Sequence, residues 1–358
     1  SSAMEKEAVQ NLADMFGFQG PVLGHLSSGG TFANLEALWI AGQLAPGKTV
    51  LASAQAHYTH SRICSVLGIP FEPVGIDANA CMDLAALEQR LKAGDVACVV
   101  ATLGTTGLGS VDNLPAIQAL CETYQSRVHV DSAYGGYFIL ADGLDSQDAA
   151  SFQAIGMADS VVVDPHKHGL QPYGCGSVLF KDPDVGRFYK HGSPYTYFSS
   201  DELHLGEISL ECSRAGASAV ALWATQKLLP MVEKGEFALG LDNSLRAARD
   251  LYQRIVADQE QIAFLKPSLD IVCWAPKANT SSEISRLSEA LFHAAAEQDL
   301  HLATMTLDSD WLQPLVDDVV FDTPEVTVLR SCLMKPEHVD WLDEIWSRYK
   351  FAHATISR

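Results

Sequence analysis

Short β-rich runs alternate with helical stretches along the sequence from about residue 49 to residue 180. The β-rich runs are TVLAS, FEPVGI, ACVVATL, RVHVD, DSVVVD and CGSVLF, and stretches such as MDLAALEQRLKAG and NLPAIQALCETY stand between them. Parallel neighbours in a sheet need a crossover connection, which is usually a helix. The pattern therefore predicts an α/β fold with a mostly parallel sheet, buried strands and helices on both faces.

The length of the chain, 358 residues, predicts one large domain and a smaller one. We assign residues 1–235 to the large domain and residues 236–358 to a small C-terminal α+β domain. The second part contains the strand candidates DIVCWAP and VTVLRSC and helical patterns at 281–299 and 336–349. Residues 204–235 are predicted to continue as one helix.

The composition argues against several classes of partner. The formal net charge is −20 and the Lys and Arg residues form no cluster, so neither nucleic acid nor an anionic membrane is expected. No apolar run reaches the roughly 18 residues of a membrane span. The eight cysteines include no C-x-x-C pair, which predicts reduced thiols and a cytoplasmic location. The opening SSAM resembles an expression scar and is set aside.

A Ser/Gly run precedes an amphipathic helical pattern in HLSSGGTFANLEALWIAGQ, residues 25–43. The N-terminus of a helix presents unpaired N–H groups and the positive end of the helix dipole, and it can bind a phosphate. Gly29 and Gly30 allow a close approach, and Thr31 adds a hydroxyl. The alternative is an ordinary capped helix after a turn, and this motif alone does not decide between the two.

Two polar residues follow apolar strand candidates. Asp131 ends RVHVD, and the small residues after it leave room for a flat ligand. A buried carboxylate needs a partner, such as a protonated ring nitrogen of a cofactor, unless it caps a turn. Lys167 ends a similar run in VVVDPHKHGL. A partly desolvated lysine beside cationic groups has a lowered pKa and can form a Schiff base with an aldehyde, so the pair predicts pyridoxal phosphate.

His57 lies just after the strand candidate TVLAS, in SAQAHYTHSRI. Its imidazole is able to stack on a flat ring, and the alternative is an ordinary surface histidine. His57 and His60 are expected on one face of a helix, which is a spacing that also suits a metal ion. No third ligand stands at a useful spacing, so no metal is predicted.

Six motifs occur in order along residues 15–220: SSGGT (27–31), QAHYTHSR (55–62), ATLGTTGLGSVDN (101–113), HVDSAYGG (129–136), DPHKHG (164–169) and SRAGAS (213–218). With these motifs the chain resembles the pyridoxal-phosphate-dependent group II amino-acid decarboxylases, which include aromatic-amino-acid, tyrosine, histidine and glutamate decarboxylases. The resemblance implies the aspartate-aminotransferase-like fold, fold type I, for the large domain. It also implies pyridoxal 5'-phosphate as cofactor, an amino acid as substrate, and a homodimer with the site near its interface.

The resemblance implies a role for each matching residue around the cofactor ring. Lys167 is expected to form the Schiff base, and His166 to lie beside it near the phosphate. Asp131 is expected to pair with the pyridine nitrogen. Ala133 would press on one face of the ring and His57 would stack on the other.

The same resemblance assigns the remaining cofactor contacts. Thr106 lies where the family contacts the ring hydroxyl. The residues that resemble phosphate ligands are Gly29, Gly30 and Thr31. Ser213 and Arg214 resemble a segment that, in related enzymes, approaches the phosphate across a dimer interface.

The implied reaction is the decarboxylation of an L-amino acid, with an aromatic side chain favoured. In the family a tyrosine from a loop after the lysine returns a proton to Cα. The segment 191–207 offers Tyr195 and Tyr197, of which Tyr195 is favoured, and the alternative is that both rings only pack a loop. Arg330, in VTVLRSC, is a candidate ligand of the substrate carboxylate, and the alternative is a salt bridge at a strand end.

The sequence departs from the family in two places. His168 stands where the animal aromatic-amino-acid enzymes have tryptophan, and HKHGL and SRAGAS look closer to microbial tyrosine decarboxylases and to sphingosine-phosphate lyases. A carbon–carbon lyase or an aminotransferase therefore remains the alternative activity, and an inactive cofactor-binding relative is the alternative outside enzymes. Almost nothing precedes the glycine loop where the family has a further segment, so a longer native protein is expected.

Overall fold

The computed structural model describes residues 1–190 and 208–356, and it divides the chain into two compact units. The first unit comprises Ser1–Thr106 and Ser110–Ala238. The second comprises Gly107–Gly109 and the chain from Leu239 onward. Each unit is built around its own sheet.

The sheet of the first unit has seven strands. They are β1 (Leu23–Ser27), β2 (Thr49–Ser53), β3 (Phe71–Val74), β4 (Val96–Thr102), β5 (Arg127–Asp131), β6 (Ser160–Val163) and β7 (Gly176–Phe180). Their order is β1-β7-β6-β5-β4-β2-β3. The pairs among β2, β3, β4, β5 and β6 are parallel, whereas β7 pairs antiparallel with β1 and with β6. The predicted α/β fold with a mostly parallel sheet is confirmed.

Helices cover the strands of this sheet. They are α1 (Ser2–Met15), α2 (Gly30–Leu44), α3 (Thr59–Leu67), α4 (Leu84–Leu91), α5 (Leu114–Thr123), α6 (Ser146–Gln153) and α7 (Ala217–Leu228). Every residue of β4 and β6 is buried, as expected for parallel strands with both faces covered. Asp83 and Asn113 accept N–H groups at the N-termini of α4 and α5, which explains where these helices begin. None of the helices in the described parts of the chain is both long and apolar enough to cross a membrane.

Three segments differ from the sequence expectations. Most of the opening SSAM belongs to α1, which buries Ala8, Val9 and Leu12. Strand β1 was not predicted because LGHLS contains no β-branched residue. One helix was expected over 204–235, but in the described part of this range the structure contains only the shorter helix α7. Cys212 has a left-handed φ of +56°, and Pro230 has no N–H to donate, so the helix extends in neither direction.

The second unit is an α+β arrangement. Its strands are β8 (Gln261–Ala263), β9 (Ile271–Pro276), β10 (Ala303–Asp308) and β11 (Glu325–Cys332), paired antiparallel in the order β10-β11-β9-β8. Its helices are α8 (Glu236–Ala257), α9 (Ser281–Ala296), α10 (Ser309–Leu312) and α11 (His338–Ile356). Side chains of α8, α9 and α11 form one buried core with β9 and β11. Within it Trp274 Nε1 donates to the Tyr349 hydroxyl at 3.0 Å.

Glu36 of α2 is a fully buried carboxylate with partners from several segments of the first unit. His25 Nε2 lies 2.7 Å from its Oε2, and the Tyr189 hydroxyl donates to the same oxygen at 2.9 Å. The other oxygen accepts the N–H of Leu210 at 2.9 Å and the hydroxyl of Ser209 at 3.3 Å. Glu36 therefore ties both flanks of segment 191–207 to α2.

Glu36→Ala is expected to lower the free energy of unfolding by about 3–5 kcal/mol, because it leaves several buried donors without their acceptor. Urea unfolding followed by circular dichroism measures the change. Glu88→Ala is the matched control, since the Glu88 side chain is 43% exposed and its partners are the exposed Lys92 at 3.3 Å and the half-buried Tyr124 hydroxyl at 3.0 Å. The control is expected to cost less than about 1 kcal/mol, and equal losses in the two variants would contradict the prediction.

Candidate active site

A cavity of about 580 Å³ lies in the first unit at the carboxyl ends of β4, β5 and β6. Thr102, Asp131 and Asp164, which end or directly follow these strands, form part of its wall. Open α/β sheets bind ligands at this edge. The predicted residues that line the cavity are Gly29, Gly30, Thr31, His57, Thr106, Asp131, Ala133, His166 and Lys167.

The first turn of α2 forms one wall of the cavity. Gly29 caps the helix with φ +156° and ψ 174°, a region that only glycine enters readily. Its carbonyl accepts the N–H groups of Phe32 and Ala33, each at 3.0 Å, while the N–H groups of Gly30 and Thr31 precede the first helical hydrogen bonds. This first turn contains no acidic residue, so the positive end of its dipole suits an anion.

Asp131 ends β5 as a buried carboxylate with both oxygens bonded. Its Oδ2 lies 2.9 Å from His60 Nε2, and its Oδ1 accepts the N–H of Ala133 at 3.1 Å. Burial acts to raise the pKa of Asp131, but the hydrogen bond and the electrostatic effect of His60, together with Lys167, hold that pKa well below its usual range. Asp131 therefore presents a negative charge in the cavity wall.

The two histidines of QAHYTHSR have different surroundings, and the expectation that both lie on one helical face is wrong. Helix α3 begins only at Thr59, so His57 precedes it and lines the cavity, 4.3 Å from Tyr58 between ring centroids. His57 Nδ1 accepts the N–H of Thr59 at 3.2 Å, and burial lowers the pKa of His57, which favours the neutral ring. His60 lies inside α3 and is bonded to Asp131 instead.

Lys167 follows β6 and is about one-third exposed, at 31%. Its Nζ lies 3.1 Å from Oδ2 of Asp164, and His166 Nε2 lies 3.5 Å from the same oxygen. Lys167 and His166 therefore share a carboxylate neighbour, Asp164, that was not assigned from the sequence. Burial raises the pKa of Asp164, although Lys167 and His166 act in the opposite direction. Asp164 lies where it can accept a hydrogen bond from Lys167.

Several further residues line the cavity without having been assigned from the sequence. They are Ser28, Phe32, Asn34, Tyr58, Thr59, Thr102, Gly104, Tyr134, Asp164 and Tyr173. Asn34 Oδ1 lies 2.7 Å from Nε2 of His129, and burial lowers the pKa of His129 to about 3, so this histidine is neutral. Asp164 could have been found, because it follows an apolar strand at the same sheet edge as Asp131. The aromatic residues carried no such signal.

Ser213 and Arg214 line a second cavity of about 230 Å³ in the first unit, instead of the first one. Arg214 forms an ion pair with Glu5 at 2.8 Å, and it also donates to the carbonyl of Leu26. Ser28 lines both cavities. The predicted contact of this segment with a phosphate stays a prediction.

Arg330 and Tyr195 are the two remaining predicted residues. Arg330 belongs to the second unit, where its Nε donates to the carbonyl of Gly107 at 2.8 Å. Its predicted role as a ligand of the substrate carboxylate is untested by this contact. Tyr195, the predicted proton donor, lies outside the described residues.

The wall of the cavity holds buried polar atoms that need a partner. Thr102 Oγ1 and Asp164 Oδ1 have no hydrogen-bond partner in residues 1–190 and 208–356. Such atoms are costly unless a ligand or water satisfies them. A flat cofactor with a phosphate fits this wall, since a helix N-terminus faces the anion, Asp131 suits a protonated ring nitrogen, and Lys167 offers an amine to an aldehyde.

Gly30→Ala is expected to weaken the binding of pyridoxal phosphate about tenfold or more. A Cβ at position 30 would lie 2.6 Å from Asp164 Oδ2, so either this buried carboxylate or the helix N-terminus would have to move. Titration of the cofactor absorbance measures the dissociation constant. Gly75→Ala is the matched control, because its Cβ would meet no atom within 4 Å. Unchanged binding by the Gly30 variant would show that the close approach of Gly30 to Asp164 is not needed to bind the cofactor.

Comparison with known proteins gives a consistent family. Residues 2–277 match the pyridoxal-dependent decarboxylase conserved domain. L-2,4-diaminobutyrate decarboxylase of Acinetobacter baumannii is 28% identical over 305 residues, which cover 74% of this chain and 58% of that protein. A probable L-aspartate decarboxylase of Haloarcula marismortui is 32% identical over 248 residues, 68% of this chain and 66% of that protein. The chain thus spans less than two thirds of the length of these curated relatives.

Solved structures share the fold at low sequence identity. Oryza sativa TDC, in a crystal structure with PLP and tryptamine, has a TM-score of 0.84 and 18% identity over 100% of this chain and 76% of its own. Mouse CSAD has a TM-score of 0.82 and 20% identity over 98% of this chain and 76% of its own. The expected fold type I is confirmed by this likeness.

Proposed function

Because the chain belongs to the pyridoxal-dependent decarboxylase family, we propose that it is a carboxy-lyase that converts an L-amino acid to the corresponding amine and CO2. The observation that carries the proposal is the meeting of Lys167, Asp131 and the Gly29–Thr31 turn in one cavity. These residues come from separate motifs, and each has the chemistry that one part of the cofactor requires. Pyridoxal phosphate is the cofactor of this family, in agreement with the prediction.

When bound, the cofactor supplies an aldehyde that condenses with amines and a conjugated ring that accepts the electron pair of a bond broken at the neighbouring carbon. The N–H groups at the start of α2 would bind its phosphate. Asp131, whose pKa lies well below its usual range, would hold a proton on the ring nitrogen and so increase the electron demand of the ring. Neutral His57 offers a flat face without adding a second positive charge.

Lys167 carries the amine that would bind the aldehyde, and an amine attacks an aldehyde only in its neutral form. Asp164 Oδ2 lies 3.1 Å from Nζ, so it can accept a hydrogen bond from this amine and hold it in position. The proton that replaces the carboxylate on Cα needs another donor, and Tyr195 remains our candidate.

We propose an aromatic substrate side chain, as the sequence motifs favour. The proposal is supported by the aromatic residues of the cavity, which include Phe32 and Tyr134. The relatives named for diaminobutyrate and aspartate make a short charged side chain the alternative to test. We also propose a homodimer, on the likeness of the Ser213–Arg214 segment to one that crosses a dimer interface.

The test of the function is a screen for CO2 release with the protein loaded with pyridoxal phosphate. The panel comprises tyrosine, tryptophan, dihydroxyphenylalanine, aspartate, glutamate and 2,4-diaminobutyrate, and both products are identified. Stoichiometric amine and CO2 from an aromatic amino acid is the expected result. A keto acid would identify an aminotransferase, and an aldehyde released by carbon–carbon cleavage would identify the other lyase class. Amine and CO2 from aspartate or diaminobutyrate alone would retain the reaction and overturn the aromatic assignment.

A further inference from the structure

His60 is a buried histidine in direct contact with the carboxylate that faces the cofactor ring. It lies in the first turn of α3, its side chain is 1% exposed, and its Nε2 is 2.9 Å from Asp131 Oδ2. Asp131 ionises readily, and an ionised carboxylate only accepts hydrogen bonds, so Nε2 carries the proton in this contact. His60 does not line the cavity that holds Asp131, and it therefore acts on a ligand only through that carboxylate.

A metal-binding role does not account for His60. Among the described residues, no group of three or more His, Cys, Asp or Glu side chains is arranged to hold a metal ion. His57, which stands three residues earlier, points its Nδ1 at the N–H of Thr59.

A packing role does not account for His60 either. Its Nδ1 is buried without a hydrogen-bond partner in the described parts of the chain. A leucine would fill a similar volume and leave no unpaired nitrogen, and an unpaired buried polar atom is costly. His60 thus has one ring nitrogen without a partner, and its only side-chain hydrogen bond among the described residues is the one to Asp131.

The hydrogen bonds of Asp131 show what this contact does. One oxygen is held by His60 and the other by the N–H of Ala133, so the plane of the carboxylate is fixed from both sides. His129, which lies two residues earlier on β5, is bonded to Asn34 and Ser160 and gives Asp131 no hydrogen bond. His60 is therefore the side-chain donor that orients this carboxylate among the described residues.

We propose that His60 is a positioning residue that orients Asp131 and keeps it ionised for the ring nitrogen of pyridoxal phosphate. The inference rests on the proposed function and adds to it a residue behind the cofactor contacts. Residues that orient metal ligands from behind change metal affinity or activity by about 10- to 100-fold when removed, and we expect an effect at the lower end of that range for a residue that orients a cofactor ligand.

The experiment compares three replacements of His60 by the dissociation constant of pyridoxal phosphate. His60→Leu removes the donor, and His60→Asn places an amide near the position of Nδ1, too short to reach Asp131. His60→Gln places its amide nitrogen near the position of Nε2, where it can donate. We expect roughly tenfold weaker binding for Leu and Asn, and binding within about threefold of the unmodified protein for Gln.

A second arm asks whether the effect passes through Asp131. His60→Leu is combined with Asp131→Asn, and in that background it is expected to weaken binding no further. Circular dichroism checks the fold of each variant, and if the Leu variant does not fold, the Gln and Asn pair decides the result.

Three results would overturn the inference. Equal affinity of the Leu, Asn and unmodified proteins would refute the role of His60 and leave the proposed function intact. An undiminished effect of His60→Leu in the Asp131→Asn background would show that His60 does not act through Asp131. Failure of the unmodified protein to bind pyridoxal phosphate would instead overturn the proposed function, and this inference with it.

Discussion

Lys167→Ala is expected to abolish the covalent capture of pyridoxal phosphate and to reduce the turnover that releases CO2 on the order of 1,000-fold or more. The reason is chemical, because an alanine offers no amine to the aldehyde. Borohydride reduction followed by peptide mass mapping is the measurement. In the unmodified protein it is expected to place the reduced adduct on the peptide that contains Lys167.

Two further variants show whether the effect requires the amine of Lys167. One keeps the positive charge at position 167, and the other removes a different lysine. Lys167→Arg keeps a positive charge beside Asp164, whose Oδ2 lies 3.1 Å from the lysine Nζ, but it cannot be captured. Lys181→Ala removes an exposed lysine that only donates to the carbonyl of Met157, and it is expected to have no effect. A reduced adduct on another residue of the Lys167→Ala protein would refute the assignment.

Asp131→Asn is expected to reduce turnover about 100-fold or more and to weaken cofactor binding. An amide is neutral and cannot hold a proton on the ring nitrogen, so the ring becomes a poorer electron acceptor. The change also replaces a carboxylate, whose Oδ2 lies 2.9 Å from His60 Nε2 and whose Oδ1 accepts the N–H of Ala133 at 3.1 Å, by an amide in which only one of these two atoms can accept. Steady-state kinetics at saturating cofactor separates the loss of turnover from the loss of binding.

Asp159→Asn is the matched control for this variant. Asp159 also accepts a main-chain N–H, that of Val128 at 2.8 Å. It directly precedes β6 and therefore lies at the amino ends of the parallel strands, whereas Asp131 lies at their carboxyl ends. The control tests the loss of a carboxylate near these strands without a change in the cavity. Comparable kinetic losses in the two variants would mean that Asp131 has no special relation to the cofactor.

The local patterns of the sequence predicted the strands that build the site. Strands β2, β4, β5, β6 and β7 coincide closely with β-rich runs, because β-branched residues favour strands and buried parallel strands are apolar throughout. Strand β1 was not predicted because LGHLS contains no β-branched residue and is not apolar throughout. Its position in the sheet is set by its antiparallel pairing with β7. The helix caps at Asp83 and Asn113 were not predicted, although both residue types commonly precede the first turn of a helix.

The sequence by itself determined the fold class, the family and the residue types at the carboxyl edge of the sheet, since strand patterning and ordered motifs are properties of local segments. Only the tertiary structure decided which of these residues touch. His60 was read as a neighbour of His57, yet its partner is Asp131, 71 positions away. Asp164 was not assigned, yet it contacts both Lys167 and the first turn of α2. These contacts depend on how α2 and α3 pack against the sheet, and packing between distant segments leaves no periodic signal within either one.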